Sequence, residues 1–473
     1  MVKVSQNVTN SSVRERGTER NRRAVLTGGV ALLARAVQIG TSLITVPLTL
    51  KYLGNERFGL WMTISSVLAM AAFADFGMGN GVLNNVAKAF GQDDMEGVRK
   101  TVSSGFALLN SIAIFLMLSF FAIYRFVNWA DFFRVVSPQA RSEAGPVLAV
   151  FATCLALNIS MDVVQRVQLG LQQGYRYGLW QLSGSMAGLI GVLGGIWLRV
   201  SLPVLVVAIA GAPVFSTTLN TIHFFGFVRP DLRPRWELVS TAVVVQIAKL
   251  GGLFFVLQVV IAASFSADNL IIDRIFGAVS VPEYSIPQRM FALIGMLLIT
   301  ILHPLWPAYG ESISRHDIAW VRHTLRRSLL IVFTLSFIAS SLLLLLAPKL
   351  IYLWVGARIH PPFLLLLGLA VWSVMESCSN SVNVFLNGAV AVRFQISVSV
   401  TFGVVCVIMK VLLTRHFGLV AVPWSTIISC VLVQVLPWVF FIPRFLKHLE
   451  SKSKSNGLPD RLNYPLAVPE TGE

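Results

Sequence analysis

The chain has 473 residues, of which 55% are hydrophobic and only 13% charged, against about 25% charged in a soluble globular domain. That composition excludes a water-soluble enzyme or binding module and places the chain in a bilayer. Its net charge of +16 reads as a topology signal and contact with the inner leaflet, not as a nucleic-acid footprint.

Twelve windows are long and apolar enough to cross about 30 Å of hydrocarbon, and the fold they predict is an all-α integral membrane protein. Residues 1–24 form a basic cytoplasmic tail, its first 20 residues polar enough to be expected disordered. The first helix is expected over 25–50 and carries Arg35, a cation set deep in an apolar run. Such a charge costs at least a few kcal/mol, so it is retained to face a cavity, a partner or a substrate. Ala34-Arg35-Ala36 imitates a signal cleavage site, but the apolar run continues to Leu50, too far for a signal-peptide core. Gly54 then suits a tight external turn with positive φ. In the second helix, expected over 58–83, Gly77, Gly79 and Gly81 after Asp75 predict a loosened end that lines a cavity or bends.

The third and fourth helices fall at 105–127 and 145–166, and Asp162 and Arg166, four residues apart, pair on one face of the fourth. In the fifth, 178–198, Gly184, Gly188, Gly191 and Gly195 have the spacing for close backbone approach. The sixth, 202–225, ends a first bundle over 25–225, and 226–241 reads as a cytoplasmic linker. The seventh, 242–265, carries Lys249, with Asp268 just beyond it, and the eighth, 286–309, begins at Arg289. The ninth spans 328–347. The tenth, 363–386, sets Glu376, Asn380 and Asn383 on one stripe, a polar cavity wall suited to sugar hydroxyls or to interhelical hydrogen bonds. The eleventh and twelfth, 394–414 and 418–442, complete a second bundle over 242–442, and 443–473 is a second cytoplasmic tail, expected to be disordered from residue 451.

Trp61, Trp197, Trp236 and Trp306 sit near helix ends, where interfacial anchors belong. Cys154, Cys378, Cys406 and Cys430 show no paired spacing, and no His, Cys or carboxylate cluster has the spacing of a metal site, so no metal or cofactor is expected. With both termini inside, the cytoplasmic segments hold 24 of the 38 Lys and Arg and the outer segments 11, with Arg35, Lys249 and Arg289 in the helices. The positive-inside rule therefore places both termini in the cytoplasm.

An internal repeat underlies the helix count. Moving along the chain by 223 residues carries Gly28-Gly29 onto Gly251-Gly252, Lys51 onto Arg274 and Gly54 onto Gly277. Six helices plus six, each half starting on the same face, predict two pseudo-symmetric bundles around a central cavity that opens alternately to each side.

The stretch Tyr52-Leu53-Gly54-Asn55-Glu56-Arg57-Phe58-Gly59-Leu60-Trp61, followed by Asp75-Phe76-Gly77-Met78-Gly79-Asn80-Gly81, resembles the opening of bacterial polysaccharide flippases. These are the O-antigen and exopolysaccharide translocases of the multidrug/oligosaccharidyl-lipid/polysaccharide exporter superfamily. Asp268-Asn269-Leu270-Ile271-Ile272, then Phe276-Gly277-Ala278, Val281 and Tyr284-Ser285-Ile286-Pro287-Gln288-Arg289, and Gln168-Leu169-Gly170-Leu171-Gln172-Gln173-Gly174-Tyr175-Arg176-Tyr177, are similar to two further stretches of that family. The resemblance implies a two-bundle carrier in the bacterial inner membrane, with a lipid-linked oligosaccharide and membrane lipids as partners and a polysaccharide polymerase or export machinery alongside. It implies flipping of undecaprenyl-diphosphate-linked oligosaccharide from the cytoplasmic to the periplasmic leaflet. Arg35, Lys249 and Arg289 are then the candidate substrate cations, since Arg forks onto phosphate oxygens and Lys meets them as a point charge. Asp75 and Asp268 are candidate coupling or cavity acids that exchange a proton or sodium ion. A drug or cation antiporter of the same superfamily is the alternative, for which an acidic cavity is expected. A membrane polymerase or ligase would need a large external catalytic loop, and no connection between the twelve helices is long enough to hold one.

Overall fold

A computed structural model of the chain describes residues 2–70, 73–133, 135–277, 280–355 and 361–455. Among these the secondary structure is helical and no strand occurs, as expected where hydrocarbon offers backbone groups no other partner than their own helix. Among the described residues eleven helical stretches are long and apolar enough to cross a membrane. The chain divides into a first unit, Asn21–Phe255, and a second, Met1–Arg20 with Val256–Glu473. The division falls inside a helix, Thr241–Phe276.

The first unit begins in α1 (Val2–Met70), two helical arms joined at Gly54, whose φ of 75° and ψ of 171° lie outside the helical basin. The tail expected to be disordered is thus helical from Val2, while residues 456–473 of the other tail lie outside the described residues. The second helix expected over 58–83 is broken. The α1 arm ends at Met70, residues 74–77 form a turn, and α2 (Met78–Gly91) follows, with 71–72 outside the described residues. Asp75 accounts for the break: its Oδ1 accepts from the Gly77 N–H at 2.9 Å and its Oδ2 from the Gly79 N–H at 3.2 Å. Gly77 itself is left-handed, at φ 72°, and a methyl group there would lie 2.3 Å from the Gly251 carbonyl oxygen.

The rest of the unit is α3 (Met95–Tyr124), α4 (Trp129–Phe132), α5 (Pro138–Met161), α6 (Val163–Gly170), α7 (Gly174–Trp197) and α8 (Leu202–His223), followed by the start of α9 (Thr241–Phe276). The glycine stripe of α7 does what its spacing predicts. Methyl groups on Gly184, Gly191 and Gly195 would meet Ser216, Ala208 and Leu205 of α8 at 3.0, 3.0 and 2.8 Å, so the two helices pack with almost no side chain between them. A reciprocal amide pair, Gln168 Nε2 to Asn220 Oδ1 at 2.8 Å and Asn220 Nδ2 to Gln168 Oε1 at 3.1 Å, locks α6 to α8.

The second unit takes α9 from Val256, then α10 (Val281–Leu302), α11 (Leu305–Ser314), α12 (Ile318–Val355), α13 (Phe363–Gly388), α14 (Val392–Phe417), α15 (Ala421–Cys430) and α16 (Leu436–Ser455). Arg20 belongs here too, its guanidinium paired with Asp317 and 4.7 Å from the centre of the Trp320 ring. Two of the expected interfacial tryptophans, Trp197 and Trp236, are exposed, but Trp61 and Trp306 are buried in packing.

Separate comparison of the two units confirms the repeat in backbone detail. Gly54 and Gly277 both have positive φ, and so do Asp93 and His316, which close α2 and α11. Asp94 accepts from the Gly97 N–H at the start of α3 at 2.8 Å, and Asp317 from the Trp320 N–H at the start of α12 at 3.2 Å. All of these pairs are 223 apart. Farther on the offset becomes 218: Gln172 and Val390 both have φ 57°, and the backbone bonds around them match one for one, Gln172 N to Leu169 O as Val390 N to Asn387 O, and Gln173 N to Gln168 O as Ala391 N to Leu386 O.

Gly77→Ala is expected to lower thermal stability in detergent by at least about 1–2 kcal/mol, since a left-handed backbone and a buried carbonyl both oppose the methyl group. Gly29→Ala, with open space around it, should leave stability within about 1 kcal/mol. Equal melting temperatures for the two variants would refute this account of the α1–α2 break.

Candidate functional site

In the first unit a cavity of about 360 Å³ opens among α1, the 74–77 turn, α5, α6, α7 and α8. Polar groups from each of these converge on it: Gln38, Asp75, Asn158, Asp162 and Arg166, Tyr177 and Gln181, and Thr217. The break at Asp75 is what admits that carboxylate, because an unbroken helix would have no free N–H groups for it to cap. Gly79 serves the same end by lacking a side chain. A methyl group there would lie 2.7 Å from Arg166 Nε and 2.9 Å from Asp75 Oδ2, so glycine leaves room for the guanidinium and the carboxylate on one side of the α2 backbone.

Arg166 Nε is 3.5 Å from Asp162 Oδ2, the ion pair its spacing predicts, and Arg166 Nη1 donates to Asn80 Oδ1 at 2.9 Å. The pair therefore belongs to the cavity lining, a role beyond the salt bridge expected from sequence. The Gln165 amide, turned so that it donates, bonds Asp162 and reaches Tyr177 Oη at 3.3 Å. Two carboxylates and one guanidinium give this cavity a formal charge of −1.

Arg35 lies at its edge. It is half-buried on α1, and its Nη1 donates to Gln38 Oε1 at 2.7 Å, while Gln38 also lines the cavity. The Arg35 side also borders a shallower apolar hollow with Ile39, Ser42, Leu43, Val46 and Pro47. Gln38 thus bonds Arg35 and lines the cavity that Asp75 also lines. Lys249 stands elsewhere in the same unit, exposed on α9.

Arg289, Asp268, Glu376, Asn380 and Asn383 belong to the second unit. Arg289 is exposed on α10. Asp268 is buried and fully engaged: Lys410 Nζ donates to its Oδ1, and Tyr284 Oη donates to its Oδ2 at 2.7 Å. Glu376 is half-buried on α13 and faces α10 at Gly295, where a methyl group would lie 3.5 Å from Oε2. Asn380 is half-buried one turn on, and Asn383 Oδ1 accepts from Gln395 Nε2 of α14 at 2.9 Å, an interhelical bond.

Sequence reasoning missed Lys410, Gln38, Asn158 and Tyr177 as members of these clusters. Lys410 carried a usable signal, since it sits in the run Val392–Phe417, whose mean hydropathy reaches 2.4. The sequence reading names only Arg35, Lys249 and Arg289 as helix cations and counts Lys410 with the outer segments, although it falls inside the expected helix 394–414; it is 1% exposed. Tyr177 ends the family-like stretch that starts at Gln168, and Gln38 and Asn158 had no signal, because a polar uncharged side chain in a membrane helix is common and becomes informative only when others converge on it.

Comparison with known proteins gives three concordant results. Residues 27–313 match the profile of the family described as "Polysaccharide biosynthesis protein". The chain is 20% identical over 296 residues to a Salmonella typhimurium protein named as an O-antigen transporter, and 22% identical over 295 residues to a Yersinia pseudotuberculosis protein named as an O-antigen export protein. These matches cover 61% and 60% of this chain and 65% and 64% of the relatives, so the chain spans less than two thirds of the length of the curated relatives it matches. Among solved structures, an outward-facing multidrug resistance MATE family transporter of the MOP superfamily superposes with a TM-score of 0.77 at 15% identity, covering 91% of this chain and 97% of the other. A MOP superfamily transporter from Pyrococcus furiosus, described as having a binding pocket of reversed polarity, gives 0.76 at 15% identity with the same coverages. At such identities these structures establish the fold.

Arg166→Met should destabilise the first unit by about 1.5–3 kcal/mol, the worth of hydrogen bonds to a charged group, because Asp162 and Asp75 are left facing each other. Adding Asp162→Asn should restore most of the loss. Thermal melting of the single and double variants measures the coupling, and strictly additive effects would show that the two residues do not act as a pair.

Proposed function

Because this chain belongs to the polysaccharide biosynthesis protein family, we propose that it is a carrier moving a lipid-diphosphate-linked oligosaccharide from the cytoplasmic to the periplasmic leaflet of the bacterial inner membrane. The observation that carries the proposal is Arg35, a half-buried cation joined through Gln38 to a polar cavity in the same bundle. A diphosphate must leave the headgroup layer before its lipid can turn over, and a guanidinium inside the apolar zone lowers the cost of that step with two parallel donors. The amides and hydroxyls beyond it suit sugar hydroxyls, which need many exchangeable hydrogen bonds and no fixed charge. Lys249, exposed on α9, is a further candidate cation in the first unit, and Arg289, exposed on α10, is one in the second.

The positive-inside count supports cytoplasmic termini, and the two-bundle fold supports alternating access. A polymerase and export machinery are the partners such a carrier would supply. The MATE-like fold favours a second reading, a drug or cation antiporter, and the formal −1 of the cavity is compatible with it. Arg35 decides against it, since a cation at the cavity edge repels a cationic drug.

Arg35→Ala is expected to reduce glycan export about tenfold or more at matched membrane expression, with Arg35→Lys retaining part of the activity. The readout is undecaprenyl-linked repeat units trapped in the cytoplasmic leaflet of a deletion strain complemented with each variant. Normal export by Arg35→Ala would remove the charge from the mechanism.

An inside-negative potential favours outward movement of a diphosphate by about 2.3 kcal/mol per charge per 100 mV, so about 4–5 kcal/mol for two charges crossing the whole field. In proteoliposomes with equal pH and sodium on both sides, an imposed potential should therefore accelerate outward translocation. Insensitivity to potential with dependence on an ion gradient would move the coupling to an acid, Asp75 or Asp268.

A further inference from the structure

We infer that the buried cluster of Asp268, Lys410 and Tyr284 is a charge switch of the transport cycle, opened when Asp268 takes up a proton, and not a strut of the fold. The inference rests on the reading of the chain as a carrier. Three helices of the second unit meet on one carboxylate: α9 brings Asp268, α14 brings Lys410 and α10 brings Tyr284, at 5%, 1% and 3% exposure. Of the other titratable groups, Cys406 lies one turn before Lys410 on α14, and Glu376 of α13 faces Tyr284.

Burying a carboxylate and an ammonium costs several kcal/mol per ion in lost hydration, and well-packed apolar residues stabilise such a site as well or better. This chain contains that comparison within itself. By the offset of 223 that relates Gly54 to Gly277 and Asp94 to Asp317, Asp268 corresponds to Thr45 and Tyr284 to Trp61. By the offset of 218 that relates Gln172 to Val390, Lys410 corresponds to Val192. The later offset is confirmed by side chains, since the Gln165–Tyr177 contact of the first unit is the Asn383–Gln395 bond of the second. Thr45, Trp61 and Val192 are all buried, at 8%, 7% and 0%. One fold thus buries an uncharged trio in its first copy and a charged one in its second. Folding does not require the charges, which points to a demand made by the working cycle.

The geometry also selects the ligand. Both oxygens of Asp268 already accept, one from Lys410 and one from Tyr284. An alkali cation would have to displace an ammonium that is tethered to the chain. A proton from water needs no such space: it adds to the carboxylate, converts an ion pair into an acid beside an ammonium, and removes the attraction between α9 and α14. The ammonium, now uncompensated in an apolar site, drives the two helices apart until the proton leaves on the other side of the cycle. Proton uptake and release balance, and no other reactant is involved.

The test uses the full chain in proteoliposomes with a lipid-diphosphate oligosaccharide, comparing wild type with the double variant Asp268→Thr/Lys410→Val, which installs the residues of the first copy. The double variant is expected to insert and to melt close to wild type, while translocation falls about tenfold or more and its dependence on pH flattens. Translocation at the wild-type rate with the wild-type pH profile would overturn the switch and leave the carrier reading intact. Failure of the double variant to fold would overturn it as well, by making the pair a strut. A wild-type chain that moves no such lipid would overturn both.

Discussion

A charge in hydrocarbon must be neutralised by a partner or turned toward water, and the rest of this structure follows from how each charge meets that demand. Arg57 and Glu143 form a two-pronged pair, each contact 2.7 Å, and Glu143 also accepts from the Leu202 N–H at 3.1 Å, so one carboxylate ties α1, α5 and the start of α8 together. Asp162 and Arg166 meet on α6, and Asp268 and Lys410 across α9 and α14. Lys249 and Arg289 have no ion-pair partner among the described residues and are exposed. The first group of charges is closed, each answered within its own unit. The second remains open to an outside anion.

The same demand extends to backbone groups. A helix interrupted inside a membrane leaves N–H and C=O groups that hydrocarbon cannot satisfy. At residues 74–77 the freed N–H groups of Gly77 and Gly79 go to Asp75, so the acid that caps the break is also the acid that lines the cavity. Removing that carboxylate would disturb both roles together. Function and local fold are coupled here by shared hydrogen bonds, which explains why three glycines accompany one aspartate in so short a stretch.

Much of this was legible in the sequence, for physical reasons. Apolar windows gave the helices because burial in lipid leaves a composition signal over some 20 residues. Gly54 and the Asp75 motif were legible because only glycine takes positive φ freely and only a few side chains cap freed N–H groups. The repeat was visible at 223 through glycines and lost beyond them, since a loop shortened by five residues shifts the later helices to 218 and no local signal marks the change. The break in the second helix was foreseen as a loosening, but its cost in length was not, because helix ends are set by caps and packing as well as hydropathy. Lys410 was passed over for a different reason: near the end of an apolar run a lysine reads as an interfacial charge, and only the tertiary contact with Asp268 marks it as buried.

Once both offsets are known, the repeat separates what the fold needs from what one copy adds. Positions that match in kind across the copies, such as the caps at Asp94 and Asp317 and the amide-bearing contacts at Gln165–Tyr177 and Asn383–Gln395, are solutions both copies require to end a helix or join two. Positions that differ in charge are not. Asn158 and Asp162 of the first copy stand where Glu376 and Asn380 stand in the second, so each copy keeps one acid on that stripe but places it one turn apart. In the first copy the acid is drawn toward Arg166, whose counterpart by the same offset is Val384. In the second, Lys410 stands on another helix, α14, and is closed onto Asp268. Two copies of one scaffold have therefore arrived at different electrostatics, a polar cavity with a net negative charge in one and a sealed ion pair in the other.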